Sequence, residues 1–292
     1  MKYVLVTGAS SGIGMALSIH LQESGYHVLA GIRKDADGKK LLELSRSTFP
    51  EHTVDMLTPV TIDITNPCSI KAAAARIKTI TPEGLHGLVN NAGIAVSGAL
   101  ELVENQRIEE QFSINVVGTF IMIKMFLPLL KRCKGRIVNI GSISGLFSPP
   151  GLSVYAASKY AIEGMSDALR VELKPFGVQV SVIESGKIDT PLWEKAVHSE
   201  AIAHQYANNA TIADYKELIA FYRNYVDSEK GSPMALVNTA VRDALSNRVS
   251  RPRYVIGRAA KIRVLLNYLP TRVRDALVYR NIYKNKHNKN RI

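Results

Sequence analysis

Cysteine is almost absent from this 292-residue chain, and the two present, Cys68 and Cys133, lie far apart with no second cysteine or histidine at ligand spacing. That excludes a disulfide framework and a cysteine-built zinc site, and no metal is expected. Long apolar runs are missing too. None approaches the roughly 18 to 20 consecutive apolar residues of a membrane-spanning helix, so no span is expected. The strand-like run Tyr3-Val4-Leu5-Val6 starts too close to Met1 for a secretory signal, and a cytoplasmic location is the expectation. Acid is scarce at the far end: between Arg251 and Ile292 twelve Lys/Arg face Asp275 alone, so this stretch holds +11 of the chain's net +12. The rest is nearly neutral. A polyanion partner is therefore a question for the tail only, and with no recognition module beside the charge nucleic acid is not expected.

What is present is alternation. Short β-branched runs (Tyr3 to Thr7, His27 to Ile32, Leu57 to Asp63, Gly87 to Asn90, Arg136 to Ile140, Gln179 to Glu184, Tyr254 to Ile256) are separated by helical patterns such as Ala72 to Ile80, Gln106 to Leu130 and Ser153 to Lys174. Seven strands with crossovers of this length predict an α/β fold, a doubly wound three-layer sandwich around a parallel sheet, built as one domain over 1–292. Residues 191–230 break the alternation with Trp193, Tyr206, Tyr215, Phe221, Tyr222 and Tyr225 among polar residues, as an insertion would. Residues 258–283 read as two short basic helices around Pro270, and the Lys/Asn-rich 284–292 as a disordered tail.

The first strand runs directly into Thr7-Gly8-Ala9-Ser10-Ser11-Gly12-Ile13-Gly14 and then a helical pattern. Gly8 permits the sharp turn, Gly12 lets backbone approach a pyrophosphate, and Gly14 lets the helix pack closely on the strand. The free N–H groups of a helix N-terminus favour the phosphates of a dinucleotide on such a Rossmann sheet. Further along come Asp63, Asn90-Asn91-Ala92-Gly93, Asn115, Ser142 and Tyr155-Ala156-Ala157-Ser158-Lys159. In this order and spacing the chain resembles the short-chain dehydrogenase/reductase family over nearly its whole length. The resemblance implies a nicotinamide-dependent oxidoreductase acting on CH–OH donors, with Ser10, Ser11 and Ile13 in the phosphate turn. It also implies that Asp63 and Ile64 lie by the adenine ring, and that Asn90, Ala92 and Gly93 line the cofactor cleft. Gly186, Ile188 and Thr190 would hold the carboxamide, although Ser185 stands where the family usually has proline. At the end of the second strand Arg33 and Lys34 replace the carboxylate that would bond a ribose 2′-hydroxyl, so NADP(H) is favoured, with NAD(H) the alternative.

Tyr155 and Lys159, four apart on a helix, project from one face. Bringing a phenol from about 10 to neutrality takes about 4 kcal/mol, which a cation about 4 Å away supplies at an effective dielectric of ~20. Lys159 is thus expected to acidify Tyr155 as the acid/base, with Ser142 positioning the substrate oxygen. By resemblance Lys159 also bonds the nicotinamide ribose and Asn115 holds a water on the proton path. The 191–230 insertion is the substrate lid of this family, and its aromatics, with the pattern from Tyr268 to Tyr279, are similar to the retinol and 17β-hydroxysteroid dehydrogenase branch. A small apolar alcohol or ketone is the expected substrate, making the chain a carbonyl reductase or alcohol dehydrogenase. A non-catalytic dinucleotide sensor or scaffold on the same fold is the competing reading. A homodimer or homotetramer through the long helices is expected from the resemblance. The basic tail either packs by the substrate mouth or contacts an anionic membrane peripherally.

Overall fold

A computed structural model describes residues 1–51, 56–198, 210–228 and 230–283. Its strands are β1 (Lys2–Val6), β2 (Tyr26–Ile32), β3 (Leu57–Thr61), β4 (Gly87–Asn90), β5 (Arg136–Ile140), β6 (Gln179–Ser185) and β7 (Arg253–Ile256). They form one parallel sheet in the order β3-β2-β1-β4-β5-β6-β7, as the alternation predicts. Because β1 pairs with both β2 and β4, the chain winds outward in both directions from that seam. The loops leaving the carboxyl ends of β1 and β4 diverge there and leave a crevice, the place where doubly wound sheets take ligands.

Both faces of the sheet are covered, which is why its strands read as near-continuous apolar runs. Val4, Val6 and Val28 face Leu17 and Leu21 of α1 (Gly12–Glu23), with Leu41 of α2 (Asp35–Thr48) beyond them. Leu5, Leu29 and Leu88 face the other way, onto Ile70 and Ile77 of α3 (Pro67–Ile80). On that side α4 (Asn105–Phe112) passes through a π-helical turn, Ser113–Gly118, into α5 (Thr119–Arg132), beside α6 (Ser153–Glu172). The whole of Asn105–Arg132 is long and apolar enough to cross a membrane by length and composition. Here its Met122, Ile123, Phe126 and Leu130 are buried against the sheet, so its hydropathy is that of a core helix.

After β6 come α7 (Pro191–His198), a 3₁₀ segment Ala210–Tyr215, α8 (Lys216–Ser228) and α9 (Met234–Ser246). Beyond β7 lie α10 (Arg258–Leu266) and α11 (Thr271–Ile282), the two expected basic helices. Tyr206 and the 284–292 tail lie outside the described residues.

Candidate active site

The crevice at the sheet's carboxyl end is a cleft of about 750 Å³. One wall is the glycine turn. Gly8 has φ +64°, and a Cβ there would stand 2.9 Å from Ala92 Cα, so only glycine takes this bend so close to β4. The turn is clamped by Asn91, whose Nδ2 donates to the carbonyls of Thr7 (2.9 Å) and Gly8 (3.2 Å), and by Thr7 Oγ1, which accepts from Asn91 N–H (2.9 Å) and Ala92 N–H (3.0 Å). Ser10, Ser11, Gly12 and Ile13 line the cleft, and Ser11, the N-cap of α1, makes no side-chain capping bond. First-turn N–H groups of α1 are thus left for a ligand, with the positive end of the helix behind them.

Towards the β2–β3 edge the cleft is lined by Arg33, Asp63 and Ile64. Burial works against the Asp63 carboxylate, but hydrogen bonds from Thr65 N–H (2.9 Å) and Oγ1 (2.7 Å), with the Arg33 charge, hold its pKa below the ordinary value. Lys34, expected beside Arg33, is instead the N-cap residue of α2 and does not line the cleft.

The opposite wall carries Ser142, Tyr155 and Lys159, all buried and all facing this cleft. Helix α6 sets Tyr155 and Lys159 one turn apart, and Ser142 follows β5, its Oγ accepting from Ser144 N–H at 3.1 Å. Lys159 Nζ donates to the Ile140 carbonyl at 2.8 Å and lies 5.7 Å from the Tyr155 ring centroid. Here the electrostatic expectation is corrected. Burial pushes the Tyr155 phenol up to about 12, with a Ser142 hydrogen bond pulling the other way and Tyr225 adding to the rise. Burial also pulls the Lys159 ammonium down to about 8, opposed by Glu163. Desolvation penalises both charged forms, and the ammonium is turned to a carbonyl, so the protein alone presents a neutral phenol.

Two further assignments change. The Asn90 side chain turns into the sheet, donating to Asn139 Oδ1 at 2.8 Å, and Asn91 is the motif residue at the cleft. Asn115, in the π turn, is spent on structure: Oδ1 accepts from Ile94 N–H (2.9 Å) and Nδ2 donates to the Ile94 carbonyl (3.0 Å) and Ser158 Oγ (3.2 Å). Its own carbonyl accepts from Thr119 Oγ1 at 2.9 Å, and Asn115 does not line the cleft. Gly14 takes the packing role expected of it, behind the turn, where a Cβ would fall 2.2 Å from the Gly8 carbonyl oxygen, and it does not line the cleft. Ala92, Gly93, Gly186, Ile188 and Thr190 line the cleft as expected, with Thr190 packed over Gly12. Ser185, in place of proline, is buried at the end of β6 and also faces the cleft.

Sequence reasoning named Trp193 of α7 among the aromatics of the lid but did not single it out as a neighbour of Tyr155. Its ring meets Tyr155 edge-on and packs in a buried apolar cluster with Leu152, Val197, Tyr222 and Val226, and with Ala95 and Leu192 it lines the apolar end of the cleft. The signal was in the sequence, a lone tryptophan three residues after Thr190.

The family profile described as short chain dehydrogenase matches residues 2–201. Human retinol dehydrogenase 16 is 34% identical over 294 residues, covering 95% of this chain and 88% of that protein. The NADPH-dependent 3-dehydrocapnine reductase of Ornithobacterium rhinotracheale is 32% identical, covering 97% and 98%. A short-chain dehydrogenase crystal structure from Streptomyces avermitilis superposes with a TM-score of 0.73 at 25% identity, covering 100% of this chain and 98% of that one.

Proposed function

The chain belongs to the short-chain dehydrogenase family, an NAD(P)-dependent oxidoreductase acting on CH–OH groups, and from that premise we propose that it is an NADP(H)-dependent carbonyl reductase for lipid-like ketones, with Tyr155 as the proton donor. One observation carries the reading: Ser142, Tyr155 and Lys159 share a single cleft with the bare N-terminus of α1 and the Gly8 bend.

The residues fit a dinucleotide. Uncapped N–H groups at Ser11 to Ile13 would receive the pyrophosphate, Asp63 and Ile64 would flank the adenine, and Ile188 and Thr190 the carboxamide. Arg33 would pair with a 2′-phosphate as a bidentate donor. When bound, the nicotinamide supplies or accepts the hydride.

The chain's own groups handle the proton. Ser142, fixed at the end of β5, would donate to the substrate oxygen and hold it against Tyr155. A neutral phenol in a dry site is the protonation state that reduction needs, because the carbonyl oxygen must gain a proton as hydride reaches carbon. Lys159 would stabilise the phenolate left behind once its ammonium is turned from the Ile140 carbonyl towards the cleft. Trp193, with Ala95 and Leu192 beside it in the cleft, would exclude water and receive an aliphatic chain, in keeping with the retinol in the name of one relative.

The same reading extends to partners. Val117, Phe120 and Tyr160 leave apolar surface exposed on the π turn, α5 and α6, and a second copy of the chain would cover it. The basic helices α10 and α11 pack by the site, with Arg263 donating to Tyr225 Oη at 2.8 Å, while Ile262, Leu265 and Tyr268 stay exposed for an anionic membrane at the substrate mouth.

The test is NADPH consumption at 340 nm with ketones of graded chain length, with Tyr155→Phe alongside. Turnover is expected to fall at least about 100-fold in the variant, with NADPH affinity kept. A variant as active as the parent would remove Tyr155 from the chemistry, and a parent inert on every ketone and alcohol while binding NADPH would favour the non-catalytic sensor.

A further inference from the structure

The face of α6 that carries Tyr155 and Lys159 continues as Glu163 and Asp167, and the charge behind the site is dense. Glu184 of β6 is fully buried, Glu163 nearly so, and neither Glu184 oxygen nor Glu163 Oε1 has a hydrogen-bond partner among the described residues. Arg253 of β7 spans the group: Nε donates to Glu163 Oε2 at 2.9 Å and lies 3.4 Å from Glu184 Oε1, and the Nη2 atom bonds Asp167 at 2.7 Å. Arg170, on the same helix, bonds Asp167 at 2.7 Å. The charged groups around Glu163 are therefore Lys159, Asp167 and Arg170 on α6, Glu184 on β6 and Arg253 on β7.

The unpartnered oxygen of Glu163 lies against the strand end that builds the site. A Cβ on Gly141 would stand 3.4 Å from Glu163 Oε1, and one on Gly145 3.2 Å from Glu163 Cγ. Gly141 separates Ile140, whose carbonyl holds Lys159 Nζ, from Ser142. Two carboxyls this close and this dry cannot both ionise freely. Burial and the Glu163 charge push Glu184 up to about 8, with Arg253 opposing; burial raises Glu163 too, but the hydrogen bond and charge of Arg253 oppose that rise, and because Arg253 donates to Glu163 and to neither Glu184 oxygen the single charge of the pair is placed on Glu163.

We propose that Glu163 is a positioning residue for Lys159: its carboxylate, fixed by Arg253, is the counter-charge that keeps the buried ammonium protonated from one turn behind. Glu184 carries the proton that confines the pair to a single negative charge. The proposal rests on the reading of Lys159 as part of the proton machinery, and its test does not need turnover.

The experiment is an NMR titration of the full chain labelled with ¹³Cε-lysine, the Lys159 signal being the one lost in Lys159→Met. In the parent its midpoint is expected near 8. In Glu163→Gln it is expected to fall by about 1 unit, the scale of a lost neighbouring charge. Asp167→Asn changes another partner of Arg253 at a half-exposed position and is expected to move the midpoint far less. An unmoved midpoint in Glu163→Gln, or an equal fall in both variants, overturns the proposal. If Glu163→Gln does not fold, Glu163→Asp withdraws the carboxylate by one methylene and is read in the same way. A lowered midpoint in a chain that reduces nothing keeps this inference and removes the proposed function; active enzyme with an unmoved midpoint does the reverse.

Discussion

Trp193 stands edge-on to Tyr155, ring centroids 5.8 Å apart and planes at 72°. The helix α7 that carries it follows Thr190 directly, so the segment over the glycine turn and the cover over the phenol are one piece of chain. Anything that seats a ligand on Thr190 will be felt at the indole.

That indole is the chain's only tryptophan. Its emission is expected at short wavelength in the free protein, because the ring is buried, and to be quenched as NADPH fills the cleft. Titration followed by fluorescence checks this. Trp193→Phe should lose the signal while still binding NADPH by calorimetry; a tryptophan signal that ignores saturating NADPH would place the dinucleotide elsewhere.

Gly14 and Gly164 make a matched pair. A methyl at Gly14 would meet the Gly8 carbonyl oxygen at 2.2 Å and Asn91 Nδ2 at 2.5 Å, whereas one at Gly164 meets nothing within 4 Å. Both are helical. Gly14→Ala is expected to lose at least about 1–3 kcal/mol because backbone must shift. Gly164→Ala is expected to gain about 0.5–1 kcal/mol from reduced chain entropy. Urea midpoints for the two variants decide it, and equal midpoints would mean that the α1–β4 packing at the turn is looser than described.

Much of this architecture was legible before any coordinates. Six of seven strand boundaries fall within one residue of where β-branched runs place them, since a parallel sheet buried on both faces cannot hide its composition. The third strand ends two residues earlier than expected, at Thr61: Ile62 N–H still bonds the Ile32 carbonyl at 2.7 Å, but Asp63 turns away to bond Ser69 and Thr65. The glycine turn and the Ser142, Tyr155 and Lys159 grouping were legible for a related reason, as each motif is local. What sequence could not give was direction. Asn90 and Asn91 are neighbours, yet the pleat sends the first side chain to Asn139 and leaves the second at the glycine turn. The phenol's acidity was misjudged because spacing gives the distance between Tyr155 and Lys159 and not the burial that penalises both charges. Asn115 was placed by its motif, but its bonds to Ile94 and Ser158 appear only once two loops and a helix meet.

Arg33 lines the cleft at the end of β2 with no carboxylate beside it in sequence, and this sets an expectation for cofactor choice. Arg33→Ala removes charge-assisted bonds to a 2′-phosphate, each about 1.5–3 kcal/mol, so NADPH affinity is expected to fall about 10- to 100-fold. NADH, lacking that phosphate, should lose little. Paired fluorescence titrations of parent and variant measure the ratio, and equal losses for the two cofactors would show that Arg33 does not read the phosphate.

Glu184 gives the protein a pH dependence opposite in sign to that of a salt-bridged carboxylate. Burial first, then the Glu163 charge, lifts its pKa from 4.5 to about 8, with Arg253 opposing. Between those values the folded chain holds a proton that the unfolded chain has released. The contribution of this group is therefore most favourable below about 4.5 and declines as pH rises towards 8, where it levels off. Glu184→Gln copies the protonated form at every pH. Melting temperatures of parent and variant are expected to converge near pH 5 and to separate by pH 8, with the variant the more stable. Lys159, shifted down from 10.5 to about 8, acts only above that window and cannot produce the same trend. Parallel curves from pH 5 to 8 would mean that Glu184 ionises normally, and that the charge behind the site is larger than the single one assigned to it.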